Sequence, residues 1–165
     1  MSACKREGEV LAAVDPAGLP GDAHVVFIGR IRSPWRQRSD CPKNLRQARE
    51  RAPKGCHLEI AEPWRPGLTG LEPEQWINML YWMHEARRDL IRQKPRHRDT
   101  ATGTFALRSP VRPNPIALAL VQITALDVEM GRIDINATDA LDNTPLLDIK
   151  PHLPSIDIAV GTSMA

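Results

Sequence analysis

The stretch Gly103-Thr104-Phe105-Ala106-Leu107-Arg108-Ser109-Pro110-Val111-Arg112-Pro113-Asn114-Pro115-Ile116, continued by an apolar run to Asp127, decides how the chain is read. Residues 103–108 carry a strand pattern, and residues 116–126 form the longest apolar run, the signature of a central strand. Between them, Pro110, Pro113 and Pro115 remove backbone donors and fix φ, which excludes both helix and central strand. The segment is therefore a stiff loop. It carries Arg108 and Arg112, and a stiff loop between strands holds a cation in place at low entropic cost.

Outward from this loop, short strand patterns recur. Residues 24–31 are β-rich up to Ser33-Pro34, residues 56–60 alternate, residues 132–137 alternate across a Met130-Gly131 turn, and residues 146–149 form another short strand after a turn at 141–145. A short helix is expected over 44–51, bounded by Pro42 and Pro53. Many short strands without a repeated strand–helix alternation predict a mainly β, single-domain β-barrel with one or two short helices. Residues 73–93 are ambiguous. Trp76, Leu80 and Met83 share a helical face, and Pro73 suits a first helical turn.

The 165 residues suffice for one domain with a real core, and the formal net charge is only +2. Cationic residues are denser over 30–54 and 87–98, which permits an RNA partner. Three cysteines without a Cys-x-x-Cys pair suggest neither a disulfide framework nor a thiolate zinc site, and the histidines lack metal-binding spacing, so no metal is expected. The apolar residues 10–14 lie too close to Glu7, Glu9 and Asp15 for a leader-peptide core, and no run reaches the roughly 20 residues that span a bilayer. A cytoplasmic protein without a membrane partner is expected.

The segment Arg108-Ser109-Pro110-Val111-Arg112-Pro113-Asn114-Pro115-Ile116 resembles the central motif of the TsaA/YaeB/TrmO-like family. Ordered blocks elsewhere are similar too: Ile28-Gly29-Arg30-Ile31-Arg32-Ser33-Pro34, Gly67-Leu68-Thr69-Gly70-Leu71-Glu72, Leu80-Tyr81-Trp82-Met83-His84, and Asp142-Asn143-Thr144-Pro145-Leu146-Leu147-Asp148-Ile149-Lys150-Pro151. The resemblance covers residues 25–157. It implies a barrel over 24–158, with 1–23 as a flexible or loosely docked extension and 159–165 as a tail, and a strand over 79–84 where periodicity alone favours helix. It also implies an S-adenosyl-L-methionine-dependent methyltransferase acting on N6-threonylcarbamoyladenosine in the tRNA anticodon loop, as a homodimer. A binding or regulatory barrel for the same cofactor is the alternative.

No Gly-rich nucleotide turn is present, so the cofactor rests on the resemblance. Carried over by position, cofactor binding falls to Lys43, Asn44, His84, Glu85, Arg108, Leu118, Asp139, Ala140, Leu141, Asp142, Thr144 and Pro145. Catalytic roles fall to Arg108 and Asp142, and substrate contacts to Arg112, Asn114, Asp148 and Lys150. Arg108 suits an anionic or carbonyl oxygen, and Asp142 or Asp148 a proton or a sulfonium. Plainer readings stand beside these. Asn44 caps a helix, His84 is a satisfied strand-end residue, Asp142 makes an Asx-turn, and Asp148 with Lys150 forms a surface pair. Trp82 is assigned to the core. The sequence departs from the family pattern at Ala117 and Asn143, where glycine is usual, and at His152, where tyrosine is usual. Asn143 can keep the turn, because asparagine tolerates left-handed φ.

Overall fold

The computed structural model describes residues 5–95 and 98–159. Nine strands follow in chain order: β1 (Val10–Leu11), β2 (Gly29–Arg32), β3 (His57–Ile60), β4 (Trp76–Trp82), β5 (Leu90–Gln93), β6 (Thr102–Gly103), β7 (Ile116–Asp127), β8 (Arg132–Ile135) and β9 (Thr144–Pro151). Two short α-helices, α1 (Leu45–Arg51) and α2 (Pro154–Asp157), and two 3₁₀ segments, Glu62–Leu68 and Thr104–Ala106, accompany them among the described residues. The class is mainly β, and its centre is a closed six-stranded barrel in the order β2-β3-β8-β7-β4-β9.

The chain divides into two compact units. One comprises Val26–Trp82 and the described residues from Leu118 onward. It holds the barrel, whose interior is filled by the alternate residues of each strand, as the period of two requires. Ile31, Leu58, Ile60, Ile77, Met79, Tyr81, Val121, Ile123, Ile133, Ile135 and Leu146 are buried. β4 settles the ambiguity over 73–93 in favour of a strand: Ile77, Met79 and Tyr81 point inward and pair antiparallel with β9, at Ile77↔Pro151, Met79↔Ile149 and Tyr81↔Leu146. Trp76, Asn78, Leu80 and Trp82 take the other parity. Trp82 is consequently half-buried rather than core. A sequence apolar at both parities mimics a helix until a partner strand selects one face.

The other unit comprises the described residues up to Val25 and Met83–Ala117, and holds a three-stranded sheet in the order β1-β5-β6. The segment expected as an extension contributes β1, with Val10↔Arg92 and Leu11↔Leu90. The buried Glu9 carboxylate accepts the N–H groups of Arg6 (3.0 Å) and Lys94 (3.2 Å). The strand expected over 103–108 shrinks to Thr102–Gly103, followed by a 3₁₀ turn over Thr104–Ala106. The cause is polar. The buried Thr104 hydroxyl donates to Leu90 O (2.9 Å) and accepts from Gln93 Nε2 (2.8 Å), while Phe105 swings out and is 78% exposed. Likewise, the β-rich run 24–31 becomes a strand only from Gly29. Val25 and Val26 are exposed, because β propensity marks residues that fit a sheet but supplies no partner strand. The expected tail lies, over 160–165, outside the described residues.

Gly29 sits where β2 pairs with both β3 and β9. A Cβ there would lie 2.1 Å from Glu59 O and 3.0 Å from Glu59 C, both backbone atoms of the neighbouring strand. Gly29→Ala must therefore separate β2 from β3, and is expected to cost about 1–3 kcal/mol. A lowered urea midpoint at unchanged slope checks this, and a wild-type midpoint would contradict the close approach.

Candidate functional site

Six of the sixteen expected site residues, Asp139, Ala140, Leu141, Asp142, Thr144 and Pro145, lie in one turn of the barrel unit and at the start of β9. Residues 138–144 lead into β9, and their carbonyls are taken up in succession. Trp35 Nε1 donates to Thr138 O (2.8 Å), Cys41 Sγ to Asp139 O (2.8 Å), Ser33 Oγ to Ala140 O (2.8 Å) and Thr144 Oγ1 to Leu141 O (2.7 Å). The Tyr81 hydroxyl donates to Asp139 Oδ1 (3.2 Å). Asp142 N and Asn143 N donate to Trp35 O and Ile31 O, both at 2.8 Å. Asn143 has φ 66°, the left-handed conformation that glycine or asparagine supplies at such a turn. The turn is thus a fixed frame with little freedom.

Asp142 is its anchor. The carboxylate accepts from Arg32 Nε (2.9 Å) and Nη2 (3.3 Å), from Ser33 N (3.1 Å) and from Arg36 Nη1, and its side chain is only 9% exposed. Burial pushes the carboxyl up. The Ser33 N–H, the Arg32 guanidinium and the charge of Arg36 outweigh that and hold it below its ordinary value of 3.8. A carboxylate so committed is a weak base. Its geometry fits the fixing of a turn better than the removal of a proton. The sequence alone marks no role for Arg32, Ser33 and Arg36, although a buried turn aspartate demands such partners.

The remaining expected residues of this unit have simpler surroundings. The Asn44 side chain caps α1, accepting from Gln47 N at 2.9 Å, and Lys43 is exposed. Leu118 is half-exposed on β7. Ala140, Thr144 and Pro145 are buried, and Leu141 is half-buried. Asp148 and Lys150 form an exposed ion pair at 2.9 Å.

In the other unit, Arg112 folds back on its own loop, Nε donating to Ser109 O (2.9 Å) and Nη2 to Leu107 O. Asn114 Oδ1 accepts from Arg88 Nη2 (3.3 Å), whose Nε donates to Pro113 O. Gln93 Nε2 donates to Val111 O as well as to Thr104. Arg112 and Asn114 therefore stiffen the proline loop on which Arg108 stands exposed. His84 Nε2 lies 3.9 Å from Glu85 Oε1, both exposed. A shallow groove of about 370 Å³, lined by Phe27, Gly29, Arg30, Glu59, Ile60 and Ala61, contains none of the expected residues.

In the barrel unit Lys43 and Asp139 offer one cation and one anion, and in the other unit Arg108 and Glu85 offer the same pair of types; such groups suit the carboxylate and the ammonium or sulfonium of a zwitterionic ligand. Among the described residues no cluster of His, Cys, Asp and Glu could hold a metal, and no helix is long and apolar enough to cross a membrane. Cys41 and Cys56 are free thiols pushed up by burial, Cys41 to about 11, so neither is a ready nucleophile; Cys4 lies outside the described residues.

The family model described as the tRNA-methyltransferase O N-terminal domain matches residues 30–158. A Rhizobium radiobacter protein named "Probable S-adenosyl-L-methionine-binding protein VirR" is 44% identical over 146 residues, covering 88% of this chain and 78% of that protein. An Archaeoglobus fulgidus S-adenosyl-L-methionine-binding protein is 38% identical over 130 residues, covering 79% and 89%. The crystal structure of TrmO from Pseudomonas aeruginosa is similar at 29% identity and a TM-score of 0.65, covering 87% of this chain. This chain spans 62% of the length of that one.

Asp142→Asn keeps the shape of the anchor and removes its charge. Hydrogen bonds to a charged group contribute about 1.5–3 kcal/mol, so the loss is expected to be about 2 kcal/mol, or a Tm lower by about 4–8 °C near neutral pH. Because the folded-state pKa is depressed, this stability is present above the ordinary carboxyl value of 3.8 and disappears as pH falls through the lower folded value. Thermal unfolding of both forms from pH 7 downward should show the gap closing below pH 3.8.

Proposed function

The chain belongs to the tRNA-methyltransferase O N-terminal-domain family, and from that premise we propose that it is an S-adenosyl-L-methionine-dependent methyltransferase whose acceptor is N6 of threonylcarbamoyladenosine in the tRNA anticodon loop. The observation that carries this is the family match over residues 30–158, which contains the proline loop and the Asp142 turn. A cytoplasmic homodimer belongs to the same proposal.

S-adenosyl-L-methionine, when bound, supplies an activated sulfonium methyl group, which leaves the protein mainly to orient donor and acceptor and to exclude water. The side chains divide that work. In one unit Arg108 is assigned a carboxylate or urea oxygen through its planar fork, and His84 and Glu85 the cationic end of the ligand. In the barrel unit Lys43 is assigned an anionic group, Asp139 a cationic one, and residues 140–145 with Leu118 backbone and apolar surface. Asp142 acts through the turn: it holds Leu141, Asn143 and Thr144 in place by its hold on Arg32, Ser33 and Arg36. Arg112 and Asn114 hold the Arg108 loop from within. Asp148 and Lys150, paired with each other, remain candidates for acceptor contacts at the rim.

The names of the relatives favour a second reading, a protein that binds S-adenosyl-L-methionine without methylating tRNA. Isothermal titration with S-adenosyl-L-methionine, followed by methyl transfer to tRNA carrying unmethylated N6-threonylcarbamoyladenosine, separates the two. Binding with transfer is expected. Binding without transfer would support the second reading, and no binding would reject both. Arg108→Ala should weaken cofactor binding or lower turnover by about tenfold or more, the value of a charged hydrogen-bond pair, with the fold intact. An unaltered rate at limiting cofactor would remove Arg108 from the site.

A further inference from the structure

Charge is distributed unevenly along the chain. Residues 36–54 contain seven Lys and Arg against two acids, a net +5, whereas the remainder carries 15 against 18, a net −3. All seven cations are exposed, in the loop before α1, on α1, and just after it. Two of them have carboxylate partners, Arg36 with Asp142 and Arg46 with Glu50. Among the described residues the other five, Arg38, Lys43, Arg49, Arg51 and Lys54, have none.

Two of these five are nonetheless held in place. The Arg49 guanidinium stacks 5.4 Å from the Trp76 ring centroid and donates to Leu120 O (2.6 Å). The Arg51 guanidinium stacks 5.5 Å from Trp35 and donates to Asp40 O (2.7 Å). Indole faces and carbonyl oxygens fix an arginine without cancelling its charge, so the guanidinium reaches a partner with part of its entropy already lost and its charge intact. The buried residue of α1 is Ala48, and its exposed residues are charged. An interfacial membrane helix needs an exposed apolar face, which α1 lacks.

We propose that α1 and its flanking loops form a docking surface for the phosphodiester backbone of RNA, with Arg38, Arg49, Arg51 and Lys54 as the phosphate contacts. The identity of the polyanion rests on the tRNA reading given above, whereas the surface itself is defined by charge and stacking. Phosphate contacts position a nucleic acid and make its affinity steeply dependent on salt.

The test is binding of a synthetic anticodon stem-loop RNA at several salt concentrations to the wild-type chain and to the Arg38→Gln/Lys54→Gln double variant. These side chains have no partner among the described residues, so fold and S-adenosyl-L-methionine affinity should be unchanged. With about 0.7–0.9 of log–log slope per phosphate contact, the salt slope should fall by about 1.5 and the affinity on the order of tenfold. An unchanged slope and affinity would overturn the surface. RNA binding that weakens as expected in a chain that transfers no methyl group would uphold the surface while rejecting the enzyme.

Discussion

The clasp of Arg32 and Arg36 on the Asp142 carboxylate lies at the seam where the barrel closes. β2 is only four residues long and must pair on both edges, with β3 through Gly29↔Ile60 to Arg32↔His57 and with β9 through Gly29↔Leu146 to Ile31↔Thr144. The second pairing ends where the Asp142 turn begins, and Asn143 N continues it by donating to Ile31 O. A strand so short contributes few ladder bonds. The charged clasp and the left-handed Asn143 fix the register that those bonds alone would leave weakly specified. Closing the sheet removes its free edges, so the seam secures both the fold and the placement of residues 139–145.

Much of the barrel is legible in the sequence because its strands alternate cleanly. β3 and β8 place Leu58, Ile60, Ile133 and Ile135 inward, at the period their sequences advertise. β7 is found from its apolar length. β4 is less legible, since Trp76-Ile77-Asn78-Met79-Leu80-Tyr81-Trp82 is apolar at both parities and only pairing with β9 selects the inner set. β5 is not legible at all, because it falls at the end of the stretch 73–93 whose pattern favours a helix, and Gln93 is buried for its hydrogen bonds to Thr104 and Val111 rather than for hydrophobicity. The same contacts end the strand expected over 103–108. Polar groups buried in pairs over long sequence separation leave no local period to detect.

The site is legible in its residue types more than in their tasks. Arg108, Arg112, Asn114 and Asp142 are marked by the family resemblance, while the residues alone say only that Arg108 and Arg112 stand on a loop stiffened by prolines. Structural tasks are visible for several of them: Arg112 braces residues 107–109, Asn114 receives Arg88, and Asp142 receives Arg32 and Arg36. Sequence spacing cannot separate a cation that meets a ligand from one that meets its own backbone, because the carbonyls involved carry no residue-type signature. Asn44 illustrates the same point, with its side chain engaged in the cap that starts α1.

That division suits group transfer from an activated donor. Where the reactive group comes ready-made with the cofactor, rate depends on holding two bound partners in line, and misplacement by about 1 Å can cost two orders of magnitude. Such a demand favours side chains that immobilise backbone over side chains that exchange protons. The turn at 138–144 meets it by having its carbonyls bonded one after another, and the proline loop meets it through Arg112, Arg88 and Gln93. A protein that only senses the cofactor needs affinity and a movable element, whereas transfer needs rigidity around the acceptor. Each loop, within its own unit, is bonded in the second manner, and the Asp142 carboxylate serves the turn by fixing it rather than by exchanging a proton.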